Sequence, residues 1–303
     1  MGLAKGAFAV LGSVMLASAS QAALVAEYKF DNGSLASTGA DATPIILTNG
    51  AVLGTPGYTG GVSGGPLTGD QGLDVASSND LSSTQEFASS GAVRSAGVNA
   101  IAGSVTVSFW IRPNANTAAP LPAGTNGTNT ANVYIFDKLS GSTTGGGFGL
   151  VVQSGTNFRL LATDAAGAAG ANSNAGALTA GQWQQITVVN NAGTVTFYKG
   201  DAAGTFSSIG GGGLGKSFTA NNRDLVFGTK ADTQSGGSFL SGINDFDGLF
   251  DNIRVYDTAL SAGDVQSLYS ADLAAVAPVP EPAALGLLMA GGLLAFGRRR
   301  RGA

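Results

Sequence analysis

Apolar and polar residues alternate along much of this chain in short bursts, separated by Gly, Ser, Asn and Thr. The alternation has the two-residue period of half-buried strands. The clearest run is 104–112, where Val105, Val107, Phe109 and Ile111 interleave with Thr106, Ser108, Trp110 and Arg112. Ten further runs are predicted as strands: 24–30, 45–53, 72–75, 133–138, 147–153, 157–163, 182–190, 194–199, 224–228 and 248–256. Two of them meet across Asn191, Ala192 and Gly193, which predicts a hairpin with a glycine-containing turn. Regular short strands with turn residues between them predict an all-β sandwich or barrel. One helix is expected from Ser261. Ser261 caps it, Asp264 places a carboxylate in its first turn, and Leu260 and Val265 have the spacing of a hydrophobic staple. Val265, Leu268 and Tyr269 then form one apolar face. Three stretches lack the alternation, 113–131, 165–181 and 207–215, and their Ala, Gly, Asn and Thr predict surface loops.

The two ends break this pattern. Lys5 precedes an apolar run over 6–16 and then Ser18, Ala19, Ser20, Gln21 and Ala22, the order of a secretory signal cut after Ala22. At the other end Val279, Pro280, Glu281 and Pro282 precede 15 residues, 283–297, without a charged or polar side chain. Arg298, Arg299, Arg300 and Arg301 follow. The prolines leave an extended segment that an enzyme can grip. The apolar run would be about 22 Å long as a helix, short of the usual span of about 20 residues. The arginines hold the C-terminus on the cytoplasmic side. An ordinary C-terminal membrane anchor is the simpler alternative. The three-part order resembles the PEP-CTERM sorting signal. That resemblance implies a Gram-negative bacterium, an inner-membrane-anchored precursor already trimmed by signal peptidase, and removal of the tail by an exosortase. The product would stand at the cell surface or outside the cell. The expected organisation is therefore a signal peptide over 1–22, one domain over 23–277 and a sorting tail over 278–303.

A middle part of about 255 residues is enough for one two-layer domain. Lys5 and the four terminal arginines are five of the 15 basic residues, and Glu281 is one of the 19 acidic ones. The middle part thus keeps 10 basic and 18 acidic residues and a charge near −8. So acidic a domain, without a basic stripe, is a poor nucleic-acid binder and suits secretion and calcium. Cysteine is absent, so no disulfide staples the fold. Histidine is absent too, which removes the usual general base, Ser-His and Cys-His nucleophiles, and most zinc, copper and iron sites.

Five pieces in order carry a second resemblance: Glu27 to Asp31 (EYKFD), Val105 to Ile111 (VTVSFWI), Gly181-Gln182-Trp183 leading into Ile186 to Val189, Val195 to Asp201 (VTFYKGD), and Gly248 to Tyr256 followed by Ala259-Leu260-Ser261. Together they resemble a LamG-like domain of the concanavalin A-like lectin/glucanase superfamily. The resemblance implies a jelly-roll sandwich of two curved antiparallel sheets. Members bind glycans or proteins, often with calcium, and a minority are glycosidases. Retaining glucanases of the superfamily carry Glu-x-Asp-x-(x)-Glu on one strand, supplying nucleophile and acid together. This chain has three isolated glutamates, Glu27, Glu86 and Glu281, so no catalytic residues and no enzyme are expected. A divergent glycosidase built on paired aspartates is the remaining enzymatic alternative.

Asp245, Asp247 and Asp251 do not make an EF-hand, which needs a Gly and a closing Glu at fixed positions. The superfamily resemblance instead implies a structural calcium at Asp31 and Asp251, completed by backbone carbonyls. Ordinary strand-end aspartates are the alternative. Gly210, Gly212 and Gly215 match Gly-x-Gly-x-x-Gly by chance in a glycine tract, with no helix after them. Trp110 and Trp183 lie in apolar strands and are expected in the core rather than stacked on sugar. The sequons at Asn32 and Asn126 carry little weight in a bacterium. The expected function is binding of extracellular glycan or matrix, with a structural role in matrix or biofilm as the alternative. A sheet face with exposed aromatics and amides favours the first, and a bland Ala, Ser and Thr face the second.

Overall fold

A computed structural model describes residues 22–48, 51–53, 71–75, 87–89, 96–113, 132–139, 145–153, 157–174, 178–228, 246 and 248–276. Among the described residues are fifteen strands: β1 (Leu24–Tyr28), β2 (Ile46–Thr48), β3 (Val52–Leu53), β4 (Leu73–Asp74), β5 (Phe87–Ser89), β6 (Val105–Pro113), β7 (Asn132–Asp137), β8 (Phe148–Gln153), β9 (Asn157–Asp164), β10 (Gly167–Asn172), β11 (Gln184–Asn191), β12 (Thr194–Asp201), β13 (Phe206–Gly213), β14 (Val226–Phe227) and β15 (Gly248–Tyr256). Two helices join them, the one-turn α1 (Ala96–Asn99) and α2 (Ala262–Val276). The first sheet runs β13-β12-β11-β6-β15-β4-β3, with β1 also paired to β15. The second runs β10-β9-β8-β7-β14-β5-β2. Every pairing is antiparallel, so the expected jelly-roll sandwich is what forms.

The inward half of each alternating strand makes the core. Val105, Val107, Phe109 and Ile111 of β6 are buried with Phe250 and Val255 of β15 and with Phe136, Phe148 and Phe158 from the facing sheet. Phe109 meets Phe136 edge-on across the two layers at 6.1 Å. The β11–β12 hairpin pairs Asn191 with Thr194. Its two turn residues, Ala192 and Gly193, have φ of 45° and 97°, the left-handed pair that matches strand twist.

The structure corrects three expectations. The run 45–53 is two strands, β2 and β3, which pass from the second sheet to the first. The predicted loop 165–181 contains β10, and 207–215 overlaps β13. Neither has an apolar alternation to read, because Gly and Ala fill β10 and two serines and four glycines make up most of β13. They are held by main-chain pairing to β9 and β12, and Gly170 leaves the room that the Arg159 guanidinium occupies. The strand β5 and the turn α1 had no signal at all.

The helix expected from Ser261 forms with its cap reciprocal. Asp264 N–H donates to Ser261 Oγ at 3.2 Å, and Ser261 N–H donates to Asp264 Oδ2 at 3.0 Å. Among the described residues no helix is long and apolar enough to cross a membrane. The signal segment, Val279 to Pro282 and Arg298 to Arg301 lie outside the described residues.

Candidate functional site

At the centre of the first sheet the outward side chains are not left to solvent. A bulge between Asp251 and Arg254 sets two residues, Asn252 and Ile253, against one on β6. Asn252 takes the strain, with φ of 46°. The extra residue keeps Phe250, Ile253 and Val255 inward and puts Arg254 in register with Glu27 on β1 and Ser108 on β6. The helix α2 lies over this region through Val265, Tyr269 and Asp272, all buried.

Asp272 is only 4% exposed and accepts four hydrogen bonds. Arg254 gives two, Nη1 to Oδ2 at 2.9 Å and Nη2 to Oδ1 at 2.8 Å. Trp110 Nε1 and Gln185 Nε2 reach Oδ2 at 2.8 and 3.0 Å. Arg254 Nε also donates to Glu27 Oε1 at 2.9 Å, and Thr38 Oγ1 donates to Glu27 Oε2. Burial works against the Arg254 charge, but Asp272 and Glu27 hold it protonated more firmly than a free arginine. Burial likewise raises the Glu27 pKa, yet the Thr38 hydroxyl and Arg254 outweigh it and leave the carboxyl below its ordinary value. Four chain segments, β1, β6, β11 and β15, are thereby tied to α2 around one guanidinium.

Trp110 and Trp183, 0% and 5% exposed, are buried in the apolar cluster under this helix, with Leu249 and Tyr269. An aromatic series leads outward from them. Trp110 stacks on Tyr269 at 6.1 Å, Tyr269 on Phe206 at 4.9 Å, and Phe206 on Tyr198 at 5.8 Å with planes 6° apart. Tyr198 and Phe206 are half-buried on β12 and the edge strand β13, with Ser207 and Ser208 exposed beside them. Sequence reasoning missed this pair, since it spans two strands of which one was read as loop.

The two residues of the calcium expectation differ in setting. Asp31 is exposed in the turn Asp31–Gly33 after β1. Asp251 is fully buried within β15, its Oδ1 accepting from Asn252 N–H at 2.7 Å. The last register pair of β1 and β15 is Tyr28 with Ile253, so the two strand ends run side by side toward both aspartates. Among the described residues no group of three or more acidic side chains gathers as a metal cluster. Asn252 does fit such an ion: it is buried with no hydrogen-bond partner on Oδ1 or Nδ2, and amide and carboxylate oxygens are what calcium takes.

A family model described as the concanavalin A-like lectin/glucanases superfamily matches residues 87–266. The chain belongs to that superfamily. The matched range runs from β5 into α2; β1 to β4, and Asp272, fall outside it but are built into the same sandwich. A second model, the PEP-CTERM protein-sorting motif, matches residues 278–301. That motif implies exosortase processing, export and cell-surface sorting in a Gram-negative bacterium. No curated protein is similar in sequence at a significant level.

Solved structures with the same lectin-like fold include domain 4 of AbnA, a GH43 extracellular arabinanase from Geobacillus stearothermophilus, in complex with arabinotriose. It shares a TM-score of 0.52 and 17% identity over 82% of this chain and 98% of that one. The receptor binding domain of botulinum neurotoxin type G gives 0.52 and 12%, over 82% of this chain and 51% of that one. The serotype C1 binding domain gives 0.50 and 13%, over 82% and 52%. This chain thus spans about half the length of the neurotoxin domains.

Proposed function

We propose that this chain is an exported, non-enzymatic surface protein whose 23–277 domain holds an extracellular glycan or matrix once the signal over 1–22 has been cut and an exosortase has removed the tail over 278–303. The observation that carries the reading is the half-buried Tyr198–Phe206 pair beside Ser208, which is exposed and paired with Tyr198 on the same sheet face. The C–H face of a sugar ring packs on an aromatic face, and a flanking hydroxyl supplies a hydrogen bond to its edge. Support for a non-catalytic role comes from the acids: Asp272 spends its oxygens on Arg254, Trp110 and Gln185, and Glu27 spends its own on Arg254 and Thr38. A calcium at Asp251 and Asn252, approached by Asp31, would supply a structural cross-link between the strand ends. It is tested by whether chelator lowers the melting temperature and whether Asp251→Ala removes that difference.

A second reading, a matrix or biofilm component that binds nothing, is favoured by the Gly and Ala face of β10. A glycan array probed with the secreted protein separates the two, with arabino-oligosaccharides among the first probes because the Geobacillus domain holds arabinotriose. Binding that falls at least tenfold in Tyr198→Ala supports the glycan reading. No bound glycan, or binding indifferent to Tyr198 and Phe206, rejects it.

A further inference from the structure

Arg254 lies between two carboxylates, whereas Arg159 of the second sheet has none. Arg159 stands on β9, where its neighbours Phe158 and Leu160 point into the core. It therefore projects from the outward face of that sheet, with the half-buried Leu161 two residues on. Its Nε is buried without a hydrogen-bond partner, although the residue as a whole is only half-buried. Among the described residues no carboxylate pairs with it. The one carboxylate on β8, β9 and β10 is Asp164, roughly 16 Å along the strand at about 3.3 Å per residue. Lys216 already holds that group at 3.1 Å. A dry, unpaired guanidinium donor costs stability, and folded proteins normally supply an acceptor for it. In a domain with 18 acidic and 10 basic residues, an uncompensated arginine points to an anion as the missing partner.

The seat of this side chain is built into the next strand. A Cβ on Gly170 of β10 would come within 2.3 Å of Arg159 Nε and 2.9 Å of Nη2. The backbone does not require glycine there, since Gly170 is not among the residues with positive φ. Glycine in a strand interior weakens it, so its contribution is the flat floor on which the guanidinium rests. A fork fixed in this way is ordered before any ligand arrives. Amides flank it. Asn172 is directly opposite Arg159 in the β9–β10 register, and Asn157, two residues back on the same face, is opposite Gln153 of β8. Two strand spacings and two residues make this patch about 10 Å by 7 Å, the footprint of one or two sugar rings.

Resting on the reading that the domain holds an extracellular glycan, we propose that this face binds an acidic one, taking the carboxylate of a uronic-acid residue on Arg159. The planar fork matches a carboxylate through two parallel hydrogen bonds. Each amide both donates and accepts, which suits the hydroxyls of the same and the adjoining ring. One cation among three amides fits a single carboxylate set in many hydroxyls, whereas a nucleic acid or a heavily sulfated chain calls for a cluster of cations. The face is separate from Tyr198 and Phe206, which project from the first sheet.

The test titrates the secreted protein by calorimetry with trisaccharides of galacturonate, mannuronate and glucuronate, with their methyl esters, and with a glutamate hexapeptide. The site predicts that at least one uronate binds and that its ester binds about tenfold or more weakly, because esterification removes the charge and keeps every hydroxyl. Arg159→Gln should cost as much, and Arg159→Lys severalfold through loss of the fork. Gly170→Ala should also weaken binding, because its methyl lifts the guanidinium from the seat. Tyr198→Ala should leave uronate binding unchanged. No bound uronate, an ester that binds as well as the acid, or binding indifferent to Arg159→Gln overturns the site. A hexapeptide bound as tightly as the uronate overturns the sugar assignment. Uronate binding that falls with Tyr198→Ala and not with Arg159→Gln removes this site and keeps the glycan reading, whereas no saccharide held by either face removes both.

Discussion

Arg254 and Lys138 are both buried, and they are held in opposite ways. Arg254 lies between two carboxylates, Asp272 and Glu27. Lys138, 1% exposed at the end of β7, is ringed by neutral oxygens. Its Nζ donates to Asn99 Oδ1 at 2.9 Å, Asn221 Oδ1 at 3.1 Å, and the carbonyls of Asn221 and Arg223 at 3.0 and 2.6 Å. Burial opposes both charges. Full countercharges overcome it at Arg254, whereas at Lys138 burial wins over the attraction of Asp224 and the pKa is pushed down to about 8. Both cations join distant stretches of chain, β1, β15 and α2 in one case and α1, β7 and residues 221–223 in the other. In a protein without cysteine these two hubs occupy the place of cross-links, one paired by charge and the other by dipoles.

The largest expected effect separates the hubs by what is left behind. Asp272→Ala leaves Arg254 with Glu27 alone and removes the acceptor of Trp110 and Gln185, and should cost about 3–5 kcal/mol in urea unfolding. Lys138→Met strands oxygens that are dipoles rather than charges, and should cost about 1–3 kcal/mol. Its pH dependence sharpens the contrast. The folded pKa near 8 lies below the ordinary 10.5, so between those values the unfolded chain binds more protons and stability rises with pH. Relative to wild type, Lys138→Met should lose that rise. On the acid side Glu27 acts in the same sense, in a lower pH window. Its folded pKa is lowered, so the stability it gives is present above the unfolded pKa and is lost as pH falls through the folded value. The smallest effect is at the helix start, where Ser261→Ala should cost about 1 kcal/mol by removing the cap.

Much of this was legible. The alternation at 104–112 gave β6 to within a residue at each end, and Ser261 with Asp264 gave the helix start because a capping box is a local arrangement. The tryptophans were placed in the core because their neighbours are apolar. The strands β10 and β13 were not legible, since the Gly, Ala and Ser that make up most of them carry no hydrophobic period and only pairing with a neighbour makes them strands. Asp272 was missed for a related reason. Its partners Trp110, Gln185 and Arg254 are 162, 87 and 18 residues away, and no local pattern brings them together. One signal was available: Asp272 continues the stripe of Val265 and Tyr269, and an acid on an apolar helix face needs a buried partner.

The central claim is that one charged clasp between β15 and α2 closes the domain. A double-mutant cycle measures it most directly, with Arg254→Met, Asp272→Leu and the pair compared by urea unfolding. The account predicts that the pair costs less than the sum of the single changes by about 2 kcal/mol or more, because each single change strands a buried charge that the other removes. Costs that simply add would contradict it, and α2 would then be held by its apolar face alone.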